Sequence, residues 1–135
     1  MKNKSKKKKI QAKKPAMPNV PKEWLYLSDQ DLTPADIAAA ANEIEEYEIH
    51  VWVELGIIEI PLPCGKSIDL EWGEPDLGEE EGNQFLAERN TKSVYFVTIV
   101  PESYEEAKMA MKCFMKKLGG GFYGDTQDFQ PQVLL

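Results

Sequence analysis

Three patterns of apolar spacing run along this chain, and each predicts a different kind of element. From Ser93 to Val100 the sequence is Ser-Val-Tyr-Phe-Val-Thr-Ile-Val, β-branched and aromatic almost throughout, and Pro101 ends it. A short continuous run of this kind predicts a strand buried on both faces or nearly so. Tyr104, Ala107, Met111, Phe114 or Met115, and Leu118 then recur at helical spacing, which predicts a helix over 103–118 with one apolar face. Ser103 and Glu106 have the spacing of a capping box. Lys112, Lys116 and Lys117 suit the negative end of the helix dipole, and Gly119 suits a left-handed stop.

A second helical pattern covers 33–46. Thr33 caps it, Pro34 occupies its first turn and Asp36 completes a variant capping box. Ile37, Ala40 or Ala41, Ile44 and Tyr47 trace its apolar face, kept narrow by the alanines so that it packs close to a sheet. Strict alternation marks the third pattern. Ile49, Val51, Val53 and Leu55 point one way and His50, Trp52 and Glu54 the other, predicting a strand from about Tyr47. Gly56 interrupts as a bulge or tight turn, after which Ile58, Ile60 and Leu62 resume the alternation. Pro63 to Lys66 reads as a turn. Ile68, Leu70 and Trp72 then alternate with Asp69 and Glu71 in a half-exposed strand.

Weaker signals fill the gaps. Trp24 to Leu27 is a short strand or docking segment, Gln84 to Arg89 a short helix, and a strand near Phe122 is expected beside the 93–100 strand. Together these predict an α+β fold. Its sheet is mostly antiparallel, of about four or five strands, with the 33–46 and 103–118 helices on one side. A C-terminal strand–helix–strand unit adds a parallel pair by a right-handed crossover.

Charge divides the chain further. Residues 1–14 hold eight of the 16 basic side chains and no acid, so the rest sets eight bases against 23 acids, a formal −15. Such a terminus cannot fold alone. It begins with positive charge like a secretory signal, but the apolar segment that should follow is missing. Pro15, Pro18 and Pro21 make an extended spacer. The expected organisation is therefore a tail and spacer over 1–22 and one acidic globular domain over 23–135. Lys6, Lys7, Lys8, Lys9, Lys13 and Lys14 form an anion-seeking arm for nucleic acid, an anionic membrane or an acidic protein surface, the chain's own body included. Two distant cysteines, Cys64 and Cys113, fit a reduced cytoplasmic setting, though they leave a single disulfide open.

Candidate chemistry is sparse. His50 is the one histidine and has no nucleophile motif beside it. Cys64, Cys113 and His50 include no close pair of the sort that structural zinc uses. Asp125 and Asp128 are the candidates for a divalent ion, but without an oxygen-rich loop they read better as an Asp-capped turn. Glu59, Asp69 and Glu71 fit the solvated face of half-exposed strands. Glycines 119–121 follow a helix instead of opening one, which suits capping with a mobile exit better than phosphate binding. No cofactor is implied. The expectation is a cytoplasmic binding module in which Asp76, Glu79, Glu80 and Glu81, with Trp52 and Trp72 as aromatic anchors, engage a basic protein partner. The alternatives are a small carboxylate enzyme, with or without a divalent metal, and a nucleic-acid or membrane accessory recruited by its lysine arm.

Overall fold

The computed structural model describes residues 20–135, so the lysine arm and most of the proline spacer lie outside the described part. In chain order the elements are β1 (Glu23–Ser28), α1 (Pro34–Ala41), β2 (His50–Trp52), β3 (Ile57–Pro61), β4 (Ser67–Gly73), α2 (Glu80–Glu88), β5 (Ser93–Thr98), a 3-10 turn (Pro101–Ser103), α3 (Tyr104–Leu118), β6 (Gly121–Gly124) and β7 (Gln132–Val133). The class is α+β, as the patterns indicate. Seven strands form one antiparallel sheet in the order β2-β3-β4-β5-β1-β6-β7, wider than the four or five expected.

The difference comes from the first and last strands. Of the two readings of Trp24–Leu27, the strand holds: the segment is the buried part of β1, paired with β5 on one edge and β6 on the other. β5 and β6 therefore run parallel without touching, because β1 lies between them. The expected parallel pair does not form, and the strand near Phe122 sits beside β1 instead of β5. Backbone amides buried this deeply need ladder partners on both edges, and β1 obtains both from the strand–helix–strand unit.

Alternation along β1 builds two cores. Trp24 and Tyr26 enter the larger one with Ile37 and Ile44, Ile58 and Ile60, Ile68 and Leu70, Tyr95 and Val97, and the α3 residues Ala107, Ala110, Met111, Phe114 and Met115. Leu25 and Leu27 point the other way and meet Val94, Tyr123 and the α2 residues Phe85 and Leu86. Helices thus cover both faces: α1 and α3 on one, α2 on part of the other. The short helix expected over Gln84–Arg89 is present as α2, but it starts at Glu80 and lies on the face away from α1 and α3, where its Leu86 closes the second core.

Local predictions fare unevenly. The Thr33–Asp36 capping box forms, with Asp36 N–H donating to Thr33 Oγ1 at 3.2 Å and Thr33 N–H to Asp36 Oδ2 at 3.0 Å. Helix α1 is shorter than expected and ends at Ala41, yet Ile44 still reaches the core. No box forms at α3. A 3-10 turn precedes it, Ser103 Oγ donates to Val100 O, and Glu106 Oε1 accepts from Cys64 N–H at 2.9 Å. The strand expected from Tyr47 is only three residues long. Val53 and Leu55 continue its alternation but lie exposed in a turn that closes at Gly56, with φ of +69°. In β5 the central Phe96 emerges to 38% exposure, so that strand is not buried on both faces throughout.

Packing on α3 sets the expected stability pattern. Phe114→Ala lowers the unfolding free energy by about 3–5 kcal/mol, as for other large core truncations, whereas Met109→Ala on the solvent side changes it by no more than about 0.5 kcal/mol. Chemical denaturation of the two variants side by side checks the assignment.

Candidate functional site

Strand register decides which polar residues meet. One row crosses the sheet as Trp52–Ile57–Glu71–Phe96–Leu25–Tyr123. The next row on the same face reads His50–Glu59–Asp69–Thr98–Glu23. Helix α2 covers the Leu25 and Tyr123 end of the first row. The β2, β3 and β4 end stays open, and there Trp52 is 47% exposed. The open half-face therefore combines an apolar strip with a carboxylate strip. Neither row contains a lysine or arginine.

At the margin between this open half and α2 lies a cleft of about 510 Å3. Asp76, Glu79 and Glu81 from the β4–α2 loop and first helical turn line one wall, and Asp125 and Thr126 line another. Leu77, Phe96 and Phe129 supply its apolar lining. Phe96 is held there by a glycine: a Cβ at Gly73 would stand only 2.3 Å from the Phe96 ring, so the ring lies against the bare β4 backbone. Phe129 adopts a φ of +58°, which is costly for an aromatic residue. Its ring stacks on Phe85 at 3.9 Å, and Arg89 covers the Phe85 ring at 3.5 Å. The only nearby guanidinium is thereby drawn onto the α2 side.

Electrostatics follow from this crowding. Burial of the Asp125 carboxyl, followed by repulsion from Glu23 and Glu79, pushes it above the usual aspartate range. Asp76 is shifted the opposite way because the Asn83 amide donates to its carboxylate at 2.9 Å and Gly78 N–H adds a second bond. On the open strip, His50 Nδ1 lies 3.2 Å from Glu59 Oε1 and its Nε2 3.5 Å from Glu48. Those hydrogen bonds, Glu59 first, raise the imidazole above its ordinary value.

The candidate residues separate accordingly. Asp76, Glu79 and Glu81 share the cleft with Asp125, and Glu80 is not among its lining. Trp52 stands at the far end of the row that leads into the cleft. Trp72 follows Ile68 and Leu70 in alternation and lies on the opposite face, against the Gly56 turn, 48% exposed. Asp128 turns inward on its own loop, accepting from Thr126 Oγ1 and Gln130 N–H. Glu59 and Asp69 sit opposite each other on β3 and β4, away from the Asp125 turn. Among the described residues, no three His, Cys, Asp or Glu side chains are grouped to hold a metal ion. Both cysteines are free thiols. Gly119 caps α3 and accepts from the Tyr26 hydroxyl at 2.7 Å. Gly120 presses on β1, where a Cβ would meet Leu27 O at 2.6 Å, so the glycine run is a tight packed exit and not a loose one. No described helix is long and apolar enough to cross a membrane.

Phe96 and Phe129 carry no signal of this role in the sequence. Phe96 is embedded in an apolar run, and only the pairing of β4 with β5, which lets its ring lean diagonally over Gly73, reveals it. No protein family, curated protein or solved structure matches the chain.

Asp125 and His50 are both raised, so both contributions to stability weaken as pH rises, each in its own window. The fold raises Asp125, so its contribution to stability falls as pH rises from the ordinary 3.8 through the raised value. Asp125→Asn therefore raises the thermal midpoint at neutral pH and loses this advantage below about pH 3.8. His50 is also raised, so its stabilising contact is complete below 6.5 and lost as pH climbs through the raised value. Glu59→Gln accordingly costs more stability near pH 5.5 than near pH 8.5. Thermal melts from below about pH 3.8 up to about pH 8.5 test both windows.

Proposed function

We propose that the protein is a cytoplasmic, non-enzymatic binding module whose acidic sheet face engages a basic protein partner, as an inhibitor, immunity or adaptor protein does. The observation that carries the reading is the open half-face itself. It brings Glu59, Asp69 and Glu71 beside Trp52, Ile57 and Phe96, and it runs into the cleft of Asp76, Glu79, Glu81 and Asp125. Eight carboxylates, with Glu23 included, share this surface with no lysine or arginine in either row or in the cleft lining.

A basic side chain gains twice on such a surface. Carboxylates attract its charge from a distance and steer its approach. Aromatic faces then receive its alkyl stem or guanidinium, and exclusion of water around them strengthens the contact. Of Trp52, Phe96 and Phe129, Phe96 is the best placed, because its ring is fixed against Gly73 before any partner arrives and loses little freedom on binding.

Octalysine serves as a defined probe for titration calorimetry on the full chain. Binding is expected at low salt and should weaken steeply as salt rises. Phe96→Ala and the Glu79→Gln, Glu81→Gln double variant should each weaken it about tenfold, the range of a central contact. Affinity that is the same at low and high salt, or untouched by both variants, contradicts the reading.

A further inference from the structure

We propose that the resident occupant of the acidic face is the chain's own lysine-bearing segment, residues 2–14, and that an outside basic partner binds by displacing it. This rests on the reading of the open half-face as a receptor for basic chains.

Three observations point to the segment. The first is where the described chain begins. Val20 packs on the larger core, behind the sheet from the acidic face, while Pro21 comes within 3.2 Å of the position a Cβ would take on Gly124, next to Asp125. Asp125 N–H also donates to Glu23 O at 2.9 Å. The chain thus enters the sheet at the end where the cleft opens and where Glu23 starts the carboxylate row.

The second is reach. Lys14 precedes Pro21 by seven residues, an extended span of about 23–25 Å. Four strand spacings of about 4.8 Å place β2 roughly 19 Å from β1, where the chain enters. The spacer is long enough to deliver the lysines anywhere on the open half-face.

The third is complementarity. Eight lysines without an acid stand at one end of a body of −15. Half of the body's eight cations do not compete for this surface: Lys108, Lys112, Lys116 and Lys117 belong to α3 on the opposite face, where Lys117 is paired with Glu43. A tether this short holds a ligand at an effective concentration in the millimolar range, so even weak contacts keep it seated. An outside chain must then overcome that occupancy, and its apparent affinity drops by the fraction of time the face is free.

Two measurements on the full chain decide the matter. Carbodiimide coupling at low protein concentration should join Lys6 to Lys14, within monomers, to Glu59, Asp69, Glu71, Asp76, Glu79 or Asp125, and roughly 0.5 M salt should suppress it. Links found mainly to Glu43, Glu45 or Glu102, or only in covalent dimers, overturn the proposal. Next, octalysine is titrated into the wild-type chain and into a variant with Lys6, Lys7, Lys8, Lys9, Lys13 and Lys14 each changed to Gln. The variant should bind about tenfold more tightly or better. Equal affinity overturns the self-docking while leaving the receptor in place. If octalysine binds neither chain, the receptor reading itself falls, and the monomeric cross-links alone determine whether the segment contacts the face.

Discussion

Everything in this fold depends on the burial of β1 from four directions. Its edges are laddered by β5 and β6, and its two faces are closed by separate cores. Tyr26 is the centre of that arrangement. Its ring meets Phe114 edge-on at 5.2 Å and Phe122 at 4.8 Å, and its hydroxyl reaches past them to the carbonyl of Gly119. A strand, a helix, a second strand and the glycine exit between them are therefore fixed by one side chain. Burial holds the phenol far above its ordinary range, so it stays a neutral hydrogen-bond donor throughout physiological pH.

The same strand explains why the surface is divided. Leu25 and Leu27 recruit α2 to the second face, but α2 is only nine residues long and covers only that part of the sheet. What remains uncovered is the half built by β2, β3 and β4, and the sequence puts acids there at alternate positions. Lysines gather instead on the solvent side of α3. Those lysines stand among Glu43, Glu46 and Glu105, so that side carries mixed charge, while the open half-face carries acids without a lysine or arginine in its rows.

Much of this was legible from residue spacing. The β4 alternation, the α3 stripe and the Thr33 box could be read because each depends on local periodicity or on a contact three residues away. What stayed hidden depends on pairing. Trp24–Leu27 looks peripheral by length alone, and only its neighbours make it central. Val53 and Leu55 keep strand rhythm yet sit in a turn, because the positive φ of Gly56 reverses the chain before they can pair. The acidic candidates at 76–81 were visible as charge, but their meeting with Asp125, some 45 residues later, is a product of β6 lying beside β1. Trp52 and Trp72 look like equivalent anchors in the sequence, whereas the strand register sends them to opposite sides.

The outermost strands are also the shortest: β2 has three residues and β7 only two. Each border leaves too few free amide and carbonyl groups to template another strand, so the sheet ends itself at both sides. A protein that keeps an aromatic strip uncovered next to such a border gains a specific safeguard. The exposed rings stay open to a passing chain, while growth of the ladder into fibrils finds no foothold.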